Sequence, residues 1–298
     1  AAVVAKNEMW HSRYRTVDGY NIYGARSKIA YESVKDEPKI TNIQIMQEEM
    51  AQRDVLTTNR DRQLWAVAKG DTAAVEELPL PPVTPFGTNK PGPKPDGTYE
   101  FISGEEAIAK MTVGPGLKVN LFADEAMFPE LAKPVQMAWD ARGRLWVSVW
   151  PNYPERTPTS KVGDSILVFE DTDRDGRADK VTHFLDDLNC PTGFQFFKDG
   201  LLVVQAPDLW FVRDTDGDGK ADWKERILMG LDSADSHHTA NSVVYEPGGA
   251  ILLSDGVFHR TNVETAAGPV RNTDGAIFRF EPLTGKFETY VSYGFANP

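Results

Sequence analysis

The chain has 298 residues, 41% hydrophobic and 26% charged. That is enough apolar material for one large or two modest domains, with no like-charge block of the kind that keeps a chain disordered. A formal net charge of −12 and a pI near 4.9 make nucleic acid a poor partner, because phosphate binding wants a basic face. The single cysteine, Cys190, excludes an internal disulfide and any CxxC zinc or CxxCH haem signature in these residues, and no apolar run approaches the ~18 residues of a membrane span.

In chain order, residues 1–78 read as a helical and irregular arm. Residues 41–54 and 59–69 are each expected to be helical, with Thr or Asn as caps and Gly70 as a stop. Ile43, Met46 and Met50 fall at helical spacing, which reads as a packing face. Residues 79–98 are rich in proline and glycine. Proline fixes φ and removes a donor, so this stretch is expected to be an extended linker. Ser103 to Met111 reads as a short helix. The opening AAVVAKNEMW and the ending GFANP set the expectation of a piece of a longer polypeptide.

From Gly116 onward the pattern changes to short β runs punctuated by turns. LKVNLFADE reads as the first of them. Then come inner hairpins in MAWDARGRLWV, FQFFKDGLLVV and VVYEPGGAILL. They alternate with outer hairpins in SILVFEDTDRDGRADKVTHFL, DLWFVRDTDGDGKADWKERIL and AIFRFEPLTGKFETYV. The acidic loops of the first two units start at Asp171 and Asp214, 43 residues apart, which matches a four-stranded propeller blade. The third unit carries an insertion at His259–Asn272 and replaces its acidic loop with Glu281–Lys286. The expected fold is mainly β: three to four N-terminal blades of a β-propeller over residues 99–298. Cys190, in LNCPTGF, reads as a small buried hydrophobe.

The acidic loops share the form DxDxDGxxD. Ca²⁺ takes six to eight hard oxygens, and carboxylates at positions 1, 3 and 5 converge as such a loop coils. The expected ligands are Asp171, Asp173, Asp175 and Asp179 in the first loop, and Asp214, Asp216, Asp218 and Asp222 in the second. The backbone carbonyls of Arg177 and Lys220 would complete the shells. Glu225 stands at position 12 of the second loop, as in helix–loop–helix sites, but Thr182 stands there in the first, so the shared element is the nine-residue form. The flanks are strand-like, which points to hairpin loops in which two ions staple outer strands. The alternative is a pair of solvated acidic turns, and recurrence at blade spacing favours the ions.

Together GLKVNLFADE, MAWDARGRLWV, ILVFEDTDRDGRADK, LNCPTGF, DLWFVRDTDGDGKAD and YGFANP resemble the membrane-bound dehydrogenase family of planctomycetes and verrucomicrobia, whose secreted members carry a PVC-type haem-binding-protein β-propeller domain. The likeness covers about residues 103–298. It implies a periplasmic or extracellular protein and a c-type haem on a separate segment or partner. It also implies a distant relationship to soluble sugar dehydrogenases that use pyrroloquinoline quinone. In those enzymes a histidine ahead of an inner strand acts as base toward the substrate hydroxyl. Here His238 stands nine positions before Pro247, with Asp235 available to orient the imidazole and His237 as its substitute. Gly294 to Pro298 is similar to the quinoprotein GxRNPxG motif and makes Asn297 a candidate cofactor ligand. Ala296 stands in place of the arginine, a departure that counts against a quinone.

Trp150, Asn152 and Tyr153 could stack a sugar ring. His259 and Arg260 lie in the insertion and could face the channel, whereas His183 reads as an outer-strand packing residue. Three functions compete: a sugar or alcohol dehydrogenase passing electrons to a c-type cytochrome, a non-catalytic calcium-stabilised scaffold for a multidomain or cytochrome assembly, and a metal-dependent propeller hydrolase or lactonase. The last needs a calcium on the channel axis rather than in peripheral hairpins.

Overall fold

The computed structural model describes residues 1–14, 24–31, 39–71, 75–86, 101–153, 159, 163–233, 235–292 and 294. The chain forms two compact units. The first comprises Ala1–Gly92, Thr157–Ser160 and Ser233–Ser236; the second comprises Pro93–Arg156, Lys161–Asp232 and His237–Pro298. Most of the expected linker, residues 87–98, lies outside the described residues.

The first unit is built on α1 (Ala2–Tyr14) and α2 (Asn42–Ala68), with a short 3-10 turn at Ala25–Lys28. The two helices expected over 41–54 and 59–69 are one. Residues 55–58 hold no glycine or proline, so nothing interrupts the hydrogen-bond ladder, and Thr57 and Thr58 carry only a small propensity penalty. Thr41 and Gln44 form a capping box at the start, and Gly70 ends the helix at φ 83°. Tyr31, Ile40, Ile45 and Met46 pack with Val83 and Phe86. The proline-rich stretch has few N–H groups of its own, and side chains of α2 hold it in place. Gln52 donates to the Pro81 carbonyl at 2.8 Å, and Asn59 exchanges two bonds with the Leu78 backbone.

The second unit opens with α3 (Gly104–Ala109), capped by Ser103. Three four-stranded antiparallel sheets follow, each a blade. The first is β1 (Pro134–Trp139), β2 (Leu145–Val149), β3 (Asp164–Glu170) and β4 (Lys180–Leu188). The second is β5 (Gly193–Phe197), β6 (Gly200–Gln205), β7 (Asp208–Arg213) and β8 (Trp223–Met229). The third pairs β9 (Val243–Tyr245), β10 (Ile251–Asp255), β13 (Ala276–Glu281) and β14 (Lys286–Ser292). Its insertion forms a separate hairpin, β11 (Asn262–Thr265) and β12 (Gly268–Arg271). The fold is mainly β, three consecutive blades of a propeller type that do not close into a ring.

The blades stack face to face, and the middle blade shows why its strands read as unbroken apolar runs. Leu201 and Val203 of β6 and Val212 of β7 pack against Trp146, Ile166, Val168 and Phe184 of the first blade. The alternate residues Leu202, Val204, Leu209 and Phe211 pack against Ile251, Leu253, Phe278 and Phe287 of the third. Side chains alternate across a strand, so a sheet covered on both faces needs apolar residues at every position. The β1–β2 turn is set by Asp140, whose carboxylate accepts from the amides of Arg142 and Arg144 and from the Trp146 indole.

The run LKVNLFADE is not a strand. Leu117 and Val119 are exposed, while Phe122 and Ala123 cover the face of the first blade formed by Leu145, Val147, Leu167 and Phe169. It lies over the face of the sheet and does not pair with either edge strand, β1 or β4.

Candidate functional site

Two sets of residues carry chemistry in the second unit. The first is the pair of acidic loops, which join β3 to β4 and β7 to β8. Each loop brings together ligand atoms of its first three aspartates within 4.8 Å of one another: Asp171, Asp173 and Asp175 in one, Asp214, Asp216 and Asp218 in the other. The backbone repeats as well. Position 4 is left-handed in both, as Arg174 at φ 64° and Gly217 at φ 83°, and position 6 is Gly176 at φ 93° and Gly219 at φ 90°. The amides of Gly176 and Gly219 donate to Asp171 Oδ2 and Asp214 Oδ2, both at 2.9 Å.

Asp179 and Asp222 close the loops. Each accepts from the amide and the hydroxyl of the position-2 threonine, Thr172 or Thr215. The threonine hydroxyl bond holds each carboxyl below the usual carboxylate range, with the amide bond acting in the same direction. Three hard carboxylates converging on one point suit Ca²⁺ or Mg²⁺ rather than a soft metal. Arg177 donates its amide to Asp175 and pairs its guanidinium with Glu105. Lys220 donates its amide to Asp218 at 2.8 Å.

Residue 8 of each loop, an alanine in both, ties it to a segment earlier in the chain. Ala178 donates its amide to the Phe122 carbonyl at 2.8 Å, and Ala221 donates to the Phe184 carbonyl at 2.7 Å. Asn120 adds a bond to the Gly176 carbonyl at 2.8 Å. The second loop is thereby joined to β4 of the first blade.

The second set is an aromatic and imidazole ridge. It draws on the end of β2, the segment before β9 and the turn after β10. The Trp150 and Tyr153 rings lie 5.1 Å apart, and the Tyr153 hydroxyl is 3.0 Å from His237 Nδ1. The His237 ring meets His238 edge-on at 4.9 Å, and His238 meets Phe258 at 5.5 Å. His237 is exposed and His238 half-buried. The Trp150 indole donates to the Pro191 carbonyl at 3.0 Å.

Asp235 is buried, but it belongs to the first compact unit, whereas His237 and His238 belong to the second. Ala296 and Asn297 lie outside the described residues. His183 is half-exposed and bonded to Asp186 at 2.7 Å rather than packed in a core. Cys190 is buried, and its amide donates to Asp164. Sequence reasoning did not single out Phe258, Phe184 or Phe122, because no motif marks them.

A propeller-type β domain carrying paired acidic hairpin loops is the class these features define. Residues 103–295 match the family model described as a domain of unknown function, DUF7133, and the chain belongs to that family. No curated protein sequence matches the chain. Among solved structures it is similar to a carbohydrate-active enzyme of family AA12 from Trichoderma reesei, at 16% identity and a TM-score of 0.31, over 43% of this chain and 31% of that one. It is also similar to a protein described as a gluconolactonase, at 16% identity and a TM-score of 0.31, over 54% of this chain and 60% of the other. A third is the extracellular domain of a one-component system from B. thetaiotaomicron, at 12% identity and a TM-score of 0.24, over 55% of this chain and 28% of that one. The matched part is less than two thirds of each of those chains. No described helix is long and apolar enough to cross a membrane.

Proposed function

We propose that this chain is the calcium-stapled propeller portion of a sugar or alcohol dehydrogenase in the periplasm or outside the cell, delivering electrons to a c-type cytochrome. The observation that carries the catalytic part is the hydrogen bond between Tyr153 and His237, with His238 packed behind it. In the tautomer where His237 Nδ1–H donates to the tyrosine oxygen, Nε2 keeps its lone pair and can take a hydroxyl proton. Aromatic rings beside it suit the apolar face of a sugar. The likeness to the planctomycete and verrucomicrobial dehydrogenases supports the reaction class. A bound redox cofactor would accept the hydride; pyrroloquinoline quinone is the candidate, and Asn297, its expected ligand, lies outside the described residues.

In this reading the acidic loops hold Ca²⁺ as structural ions, the first with Asp171, Asp173 and Asp175 and the second with Asp214, Asp216 and Asp218. The tests are direct. The full chain, supplied with Ca²⁺ and the quinone, is assayed for dye reduction with D-glucose and simple alcohols. His237→Asn and His238→Asn should each be compared with wild type, and loss of a general base typically lowers turnover ~10²–10⁴-fold. Absence of any dye reduction by the wild type would leave the scaffold reading. That second reading is favoured by the Ala221–Phe184 bond, which puts one acidic loop at a blade junction.

A further inference from the structure

The turn after β10 contains a buried polar cluster that the proposed chemistry does not use. Asp255 and His259 are fully buried, and Thr261 is nearly so. His259 Nδ1 lies 2.5 Å from Asp255 Oδ1, and the Thr261 hydroxyl donates to Asp255 Oδ2 at 2.6 Å. Both carboxylate oxygens are therefore engaged, as a buried carboxylate requires. The backbone of the turn is held just as closely. The Asp274 amide donates to the His259 carbonyl at 2.8 Å, the Arg260 amide to Asp232 Oδ2 at 2.6 Å, and the Asp232 amide to Thr261 Oγ1 at 3.0 Å.

Between Asp255 and His259 stands Phe258, at φ 71° with half of its surface (52%) exposed. A bulky residue in the left-handed region is an outlier that persists only where its surroundings over-determine it. The turn leaves this aromatic side chain half-buried, so part of the gain from burial is given up. Its ring meets the His238 ring, 5.5 Å away and inclined at 67°.

We infer that Phe258 is a positioning residue for His238 and the ring on which the apolar face of a hydroxylated sugar ring stacks, and that the Asp255–His259–Thr261 cluster exists to hold it there. The stacking part rests on the sugar-site reading above; the positioning part does not. The experiment follows the imidazole resonances of His237 and His238 by NMR in the full chain with Ca²⁺. Phe258→Ala should move the His238 signal by removing the ring current. His259→Leu, which removes the hydrogen bond to Asp255, should move it in the same direction. His259→Asn should stay near wild type, because the asparagine amide can replace the Nδ1–H donor. A His238 signal unmoved by Phe258→Ala, or moved by Phe258→Ala but unchanged in His259→Leu, overturns the positioning claim.

D-glucose is then titrated on the same signals. Phe258→Ala should weaken binding at least fivefold and Phe258→Tyr should restore it; equal affinity in all three overturns the stacking claim. If the wild-type signals ignore D-glucose while the ring-current results hold, the sugar-site reading and the stacking claim fall and the positioning claim stands.

Discussion

The amide of Ala221, in the second acidic loop, donates to the carbonyl of Phe184 in the outermost strand of the preceding blade, at 2.7 Å. Phe184 also packs in the core between the first two blades, against Trp146 at 4.7 Å, and Ala221 packs against that same core. An ion that fixes the loop therefore fixes a junction between sheets. In the first loop the equivalent Ala178 amide donates to Phe122, in the non-strand segment that covers the same blade, so this bond joins no second sheet.

Calcium removal is the first test of that relationship. A ligand that binds only the folded state stabilises it by RT ln(1 + [L]/Kd), ~2.7 kcal/mol at a hundredfold excess over Kd. Added Ca²⁺ should raise Tm of the wild type by several degrees, and a chelator should reverse the rise. Asp218→Ala should lose about half of the response and Asp175→Ala with Asp218→Ala nearly all of it. Calorimetry with and without chelator decides; an unchanged Tm in the wild type would refute structural ions.

Position 4 of the loops offers a matched pair. Arg174 and Gly217 both adopt positive φ, but only glycine does so without a steric penalty, which is ~1–2 kcal/mol for other residues. Arg174→Gly should keep or slightly raise stability, because relief of the strain offsets the greater freedom of glycine in the unfolded chain. Gly217→Ala should lower it by ~1 kcal/mol. Urea midpoints at saturating Ca²⁺ measure both. A loss on Arg174→Gly equal to that on Gly217→Ala would contradict the shared geometry.

The blade interfaces should dominate stability. Phe194 is buried between the first and second blades and Phe278 between the second and third. Truncation of either to alanine should cost ~3–5 kcal/mol, as for other buried aromatic residues. Leu283, on an exposed turn of the third blade, serves as the control, with an expected change within ~0.5 kcal/mol. Chemical denaturation of the three variants provides the comparison.

Acid should weaken the third blade through Glu246. The Arg279 guanidinium, bonded to its carboxylate, holds the Glu246 carboxyl below the usual range. A carboxyl depressed in the folded state contributes stability that is full above its unfolded value, ~4.3, and is lost as pH falls through the lower folded value. Melting temperature should therefore drop below about pH 5, and less steeply in Glu246→Gln than in wild type. Identical slopes in the two proteins would remove this pair from the account of acid sensitivity.

The blade pattern was legible because it is local. Strand periodicity, turn residues and the 43-residue spacing of two DxDxDG loops each depend on neighbours in the chain. The convergence of Asp171, Asp173 and Asp175 is local too, since a coiled loop with glycine at position 6 leaves their carboxylates little choice. Helix α2 was half legible: its caps and stop could be read, but its continuity through Thr57 and Thr58 depended only on the absence of a breaker.

The rest was decided in three dimensions. LKVNLFADE has the composition of a strand, yet it lies over a blade face, where Phe122 and Ala123 cover apolar side chains of β2 and β3. Tyr153 meets His237 across 84 residues of chain, and Phe258 reaches His238 only because a buried aspartate and histidine turn the chain beneath it. Such meetings come from how consecutive sheets stack, and the free energy that sets the stacking belongs to apolar faces on different blades. A periodicity within one strand records that a face will be buried; it does not record against what.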